Sequence, residues 1–112
     1  MLSRSQRLSG EQLNSVMEKG RVTHSSLFWL RTLKHEGKTK IAVIVPNKVV
    51  KTASGRVGLR RRMYEAVKLI HSSIVSDNSL VVICAKEPAV KAEFKDLSKE
   101  MKDIFVKSGL LK

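Results

Sequence analysis

Eight basic side chains, Lys38, Lys40, Lys48, Lys51, Arg56, Arg60, Arg61 and Arg62, lie between Glu36 and Glu65 without one acid among them. A run of this kind is built to meet phosphate: each phosphate it neutralises releases condensed counterions, and guanidinium groups hold phosphate oxygens through paired N–H bonds. The groups that would themselves break a bond are missing. Glu11, Glu18 and Glu65 stand singly and read as helix-surface residues, which leaves a paired-carboxylate or metal-carboxylate nuclease site without support. His24, His35 and His71 show no metal-ligand spacing, and a lone cysteine supplies neither a zinc site nor an internal disulfide. That cysteine, Cys84, sits inside the apolar run Leu80–Ala85 and reads as a buried strand thiol rather than a nucleophile. There is no glycine-rich phosphate loop and no nucleophile elbow. If a chain with this inventory takes part in catalysis, it does so by binding, with the reacting groups supplied from elsewhere.

The charge balance points the same way. The 112 residues carry 22 Lys+Arg against 10 Asp+Glu, a formal net charge of +12. Residues 1–64 hold 14 of the bases and 3 of the acids; residues 65–112 hold 8 and 7. The C-terminal part is therefore an ordinary solvated scaffold and the middle is the working surface. So strong a positive field on so small a domain calls for a polyanion, nucleic acid first and a membrane surface second. An apolar fraction of 42% suffices for one modest core, and the length fits one domain, residues 1–112. No apolar run approaches the ~20 residues that span a bilayer. The start, Met1-Leu2-Ser3-Arg4-Ser5, lacks an apolar stretch, so no secretory signal is expected.

The elements that must position the basic run follow from periodicity. Ser9 with Gln12 forms a capping box ahead of Leu13, Val16 and Met17 at helical spacing, and Gly20 is a natural stop, which predicts a helix over 10–19. Residues 26–33 read as a largely buried strand, 34–38 as a polar turn with Gly37, and 40–45 as a second strand ending at Pro46; the two are expected to form a hairpin. A loop containing Ser54 and Gly55 precedes a helix over 56–74, with Leu59, Met63, Ala66, Val67, Ile70 and Ile74 as its apolar stripe and Arg61, Tyr64 and Lys68 opposite. Asp77-Asn78 turns into the strand Leu80–Ala85, apolar on both faces as in a sheet interior. A last helix over 92–107 carries Phe94, Leu97, Met101, Ile104 and Phe105 on one face and ends near Gly109. The order α-β-β-α-β-α gives an α+β, two-layer α-β sandwich. Two long helices cover one face of a small sheet, the first helix partly covers the other, and the groove beside that helix is the cleft.

In this order and spacing the segments resemble the protein subunit of bacterial ribonuclease P over nearly the whole chain. Leu2…Arg7-Leu8 is similar to the family's basic lead-in, and Gly20 to the glycine that ends its first helix. Phe28 and Leu30 match its "F-x-L" strand, and residues 40–49 resemble "R-x-G-x-x-V-S-K-K-V". Leu59-Arg60-Arg61-Arg62-Met63 resembles the family's central helix, residues 80–86 fit "D-x-V-V-I-A-R-K", and residues 104–111 fit its C-terminal end. The departures mark a divergent member. Where the family has Arg-Asn-Arg, this chain has Arg56-Val57-Gly58, with Arg60, Arg61 and Arg62 one turn on; Leu13 and Met17 replace two phenylalanines, and Arg31 replaces a tyrosine.

The resemblance implies the fold of the second domain of ribosomal protein S5, with a left-handed β-α-β crossover. It implies a subunit of the ribonuclease P ribonucleoprotein, one protein per RNA, in the cytoplasm. That subunit binds the catalytic RNA and the single-stranded 5′ leader of precursor tRNA, while the RNA with Mg²⁺ performs the hydrolysis that matures the tRNA 5′ end. The protein then holds no cofactor and no catalytic residue of its own, and no membrane is involved. Lys48, Lys51, Arg56, Arg60, Arg61 and Arg62 are the expected catalytic-RNA contact; Leu13, Met17, Trp29 and Arg31 are the expected leader cleft, with Trp29 a stacking platform or plain core. Other readings of the same residues are a ribosomal-type structural RNA-binding protein without a processing role, a DNA-binding module using the basic helix, and a metal-dependent nuclease.

Overall fold

The computed structural model describes residues 8–71 and 78–111. The elements are α1 (Gly10–Lys19), β1 (Arg21–His24), β2 (Phe28–Lys34), β3 (Lys40–Ile44), α2 (Ala53–His71), β4 (Ser79–Ala85) and α3 (Phe94–Lys107), with a short 3₁₀ helix, Glu87–Lys91, between the last two. Of the sequence features above, Leu2, Arg7, Ile74 and Asp77 lie outside the described residues.

Helix α1 starts as its capping box dictates. The Ser9 hydroxyl accepts from the Gln12 N–H, and the Gln12 side chain accepts from the Ser9 N–H at 3.0 Å. Gly20 ends it for a reason of space: a Cβ there would lie 2.4 Å from the Val16 carbonyl oxygen and 3.2 Å from the Arg31 Cβ. At the other end of the chain Gly109, at φ 88°, supplies the left-handed turn after α3.

The sheet has four strands in the order β1-β2-β4-β3. β2 pairs antiparallel with β1 and with β4, and β3 pairs parallel with β4. The expected hairpin between residues 26–33 and 40–45 therefore does not form. β4 lies between those strands because it is buried at every position and so takes the sheet interior. The hairpin partner of β2 is β1, a short polar edge strand that the sequence reading left out. α2, the connection between parallel strands β3 and β4, begins at Ala53, ahead of the expected residue 56. The Thr52 hydroxyl accepts from the Gly55 N–H at 3.2 Å, so Ser54 and Gly55 belong to the helix rather than to the loop.

Side-chain alternation divides the sheet into two faces. Phe28, Leu30, Ile41, Val43, Val81 and Ile83 pack under α2 and α3 in the main core; Trp29, Leu33, Ala42, Ile44, Leu80 and Val82 pack under α1 with Leu13 and Val16. Two helix positions depart from the expected stripes. Tyr64 is buried in the main core rather than opposite it, because α3 packs beside α2 and widens the covered arc. Phe94, the first residue of α3, is 40% exposed rather than on the buried face.

Candidate nucleic-acid interface

Six of the eight basic residues follow β3, while Lys38 and Lys40 lie at the other end of the sheet, where Lys40 is opposite Leu80. β3 ends at Ile44, opposite Cys84 of β4, which is in turn opposite Trp29 of β2. The chain then folds back through residues 46–51, with the Val49 and Val50 N–H groups donating to the Pro46 carbonyl, and enters α2. Lys48 and Lys51 stand exposed on this loop. Arg56 is only half exposed and faces its own chain, donating to the Val50 and Lys51 carbonyls, both at 3.0 Å. It fixes the loop that carries the two lysines.

Arg60, Arg61 and Arg62 are exposed on α2. Because the helix begins at Ala53, they lie seven to nine residues beyond its start, about 10 Å along the axis. The partial positive charge of the helix N-terminus fades within one turn, so it favours phosphate near Lys51 and not near these arginines. Successive helical residues point about 100° apart, so the three guanidinium groups fan around the helix instead of meeting at one point.

The cleft residues do come together. Leu13 and the half-buried Trp29 both pack against the cluster of Val16, Leu80 and Val82, while Met17 on the same helix is 37% exposed. Arg31 bridges α1 and β2: its Nη1 donates to the Met17 carbonyl, and its guanidinium carbon sits 5.6 Å from the centre of the Trp29 ring. Its Nε is buried without a hydrogen-bond partner. Arg31 thus pins the last turn of α1 over the indole.

Trp29 also lines an open cleft of about 430 Å³ at the basic end of the sheet, together with Lys48, Pro46, Val49, Lys86 and Glu87. One cavity therefore holds a member of each expected set, the ring from the leader cleft and the lysine from the RNA contact. Lys86 and Glu87 were missed by sequence reasoning because they follow an ordinary strand end. Lys86 is held in place, its Nζ donating to the Ser25 carbonyl at 2.7 Å. Beneath the cleft, burial pushes the Cys84 thiol up to about 11, with the Lys48 charge pulling the other way. Such a thiol is protonated and inert at neutral pH. Among the described residues no cluster of His, Cys, Asp or Glu suited to a metal ion occurs, and no helix is long and apolar enough to cross a membrane.

The family described as Ribonuclease P matches residues 2–109. No curated protein matches the sequence. Among solved structures, the RNase P protein of Staphylococcus aureus superimposes with a TM-score of 0.85 at 15% identity, over 97% of this chain and 100% of that one. The RNase P protein of Thermotoga maritima superimposes with a TM-score of 0.79 at 14% identity, over 90% of this chain and 96% of that one. A match along nearly the whole sequence, on a fold these structures share, makes this chain a member of the ribonuclease P protein family, which acts in tRNA processing.

Proposed function

We propose that this chain is the protein subunit of a ribonuclease P ribonucleoprotein that binds both the catalytic RNA and precursor tRNA. Lys48 and Lys51 on the loop and Arg60, Arg61 and Arg62 on α2 contact phosphates of the catalytic RNA, with Arg56 holding the loop. The single-stranded 5′ leader lies across Leu13, Met17, Trp29 and Arg31, with a base stacked on the indole; a ring accepts any base, which suits a subunit that meets many leaders. The hydrolysis belongs to the RNA with Mg²⁺. One protein serves one RNA, in the cytoplasm. The observation that carries this reading is the cleft in which Trp29 and Lys48 face the same space, an aromatic platform beside an exposed cation.

Reconstitution tests it. The protein mixed with its cognate ribonuclease P RNA, precursor tRNA and Mg²⁺ should yield the mature 5′ end at salt concentrations where the RNA alone is slow, and the protein without RNA should yield none. Cleavage by the RNA-free protein, or an RNA whose activity ignores the protein, would overturn the proposal.

A further inference from the structure

A second concave, basic site lies at the opposite end of the sheet. It is a cleft of about 480 Å³ between the last turn of α1, the start of β1, the ends of β2 and β4, and the turn after α3. Lys19, Arg21 and Lys34 line it, one from each of three elements, and all three are exposed. None of their side chains makes an ion pair or hydrogen bond among the described residues, and none of the described residues lining the cleft is an acid. Surfaces that serve only solubility interleave both signs. Three cations around one concavity repel each other, and the self-repulsion is relieved when an anion enters.

Register says how the site sits on the sheet. Arg21 is opposite Thr32, and Thr32 is opposite Val81, a member of the core under α2 and α3. Arg21, Thr32 and Lys34 therefore project on the face covered by α2 and α3, while Lys19 and Leu33 reach the cleft from the α1 face, so the site lies across the end of the sheet. The separation from the α2 end is also large: Trp29 and Lys34 mark the two ends, and the seven residues of β2 span roughly 20 Å. A large structured RNA can present phosphates to both ends at once.

We infer that the cleft formed by Lys19, Arg21 and Lys34 binds phosphates of a second segment of the catalytic RNA, apart from the segment held near α2. This rests on the reading of the chain as the ribonuclease P protein subunit. The side chains of the three cations are exposed and make no hydrogen bond or ion pair among the described residues, so their replacement should leave the fold intact.

The test uses the full-length Lys19→Gln/Arg21→Gln/Lys34→Gln variant, with its melting temperature as the folding control. Binding to the cognate catalytic RNA is measured over a series of salt concentrations, alongside binding of a single-stranded leader oligonucleotide. The affinity for the catalytic RNA should fall by more than about tenfold at low salt, and the slope of log K against log salt should flatten by about two to three, one lost phosphate contact per cation. Hydroxyl-radical footprints should lose one protected RNA segment, distinct from the segment lost in an Arg60→Ala/Arg61→Ala variant. Leader binding should be unchanged. Unaltered affinity and slope for the catalytic RNA, or a loss confined to the leader, overturns the inference. Wild-type protein that binds no ribonuclease P RNA overturns instead the subunit reading, so the two failures are told apart.

Discussion

Replacing Trp29 with alanine separates the two roles the structure gives this ring. One side of the indole packs in the cluster with Leu13, Val16, Leu80 and Val82; another lines the open cleft beside Lys48. A tryptophan buries about 150–250 Å² when covered, and the greater part of this one is covered. At about 25 cal/mol per Å², the covered greater part of that area contributes about 3–5 kcal/mol, and the Arg31 contact adds about 0.5–1 kcal/mol. Trp29→Ala should therefore lower unfolding free energy by about 4–5 kcal/mol. Stacking of a leader base is a separate quantity, about 1–3 kcal/mol, or roughly 5- to 150-fold in affinity. The two are resolved by measuring chemical denaturation on the free protein and, below the unfolding transition, the ratio of affinities for precursor and mature tRNA in the reconstituted particle. Stability and the precursor-to-mature ratio should both fall. Trp29→Phe, which keeps a ring, should recover most of the ratio. Tryptophan fluorescence of the wild type should quench on adding a single-stranded leader. If stability falls while the ratio holds and fluorescence ignores the leader, Trp29 is core and the leader does not stack there.

Three further outcomes are expected. Arg60→Ala/Arg61→Ala should flatten the salt dependence of catalytic-RNA binding by about one unit of slope per lost phosphate contact with little change in melting, since both side chains are exposed; an unchanged slope removes them from the interface. Raising the pH should destabilise the fold through Cys84: its folded value of about 11 exceeds the ordinary 9.0, so the unfolded thiol ionises first, and the stability present below pH 9 is lost as the pH rises toward 11. The loss amounts to about 3 kcal/mol, and Cys84→Ala should abolish that part of a pH–denaturation profile. Gly20→Ala should cost about 1–3 kcal/mol in a thermal melt, because the new methyl meets the Val16 carbonyl oxygen at 2.4 Å, and a backbone oxygen cannot swing away as a side chain can.

Most of the fold was legible because its signals are local. The Ser9–Gln12 capping box and the apolar spacing of Leu13 and Val16 place α1 to the residue, and a strand apolar at every position, as Leu80–Ala85 is, announces a sheet interior. Strand pairing was not legible, because it is decided by competition among strands. Residues 28–34 and 40–44 are sequence neighbours with a turn between them, yet the doubly apolar β4 has more to gain from the central position and separates them. β1 left no signal for the opposite reason. Its residues Arg21, Val22, Thr23 and His24 are polar or exposed, as suits a guarded edge, and carry no alternation to read.

The site divides along the same line. Charge is additive along a chain, so the acid-free run from Lys38 to Arg62 was visible without a fold. What each charge faces depends on where a helix starts and on which carbonyls lie nearby, and composition is blind to both. Ala53 as the first residue of α2 carries Arg60, Arg61 and Arg62 past the helix N-terminus. The Val50 and Lys51 carbonyls turn Arg56 inward, and the Met17 carbonyl does the same to Arg31. Lys19, Arg21 and Lys34 lie outside the acid-free run and scatter over 16 residues, so no window of sequence marks them as a group. Only the return of β2 beside β1, and of α3 to the end of both, sets them around one cleft. A guanidinium bonded to its own backbone has fewer donors left for a phosphate than one that is free. Salt dependence should accordingly respond more strongly to Lys48, Arg60 and Arg61, whose side chains make no hydrogen bond or ion pair among the described residues, than to Arg56, although all of them count equally in the net charge.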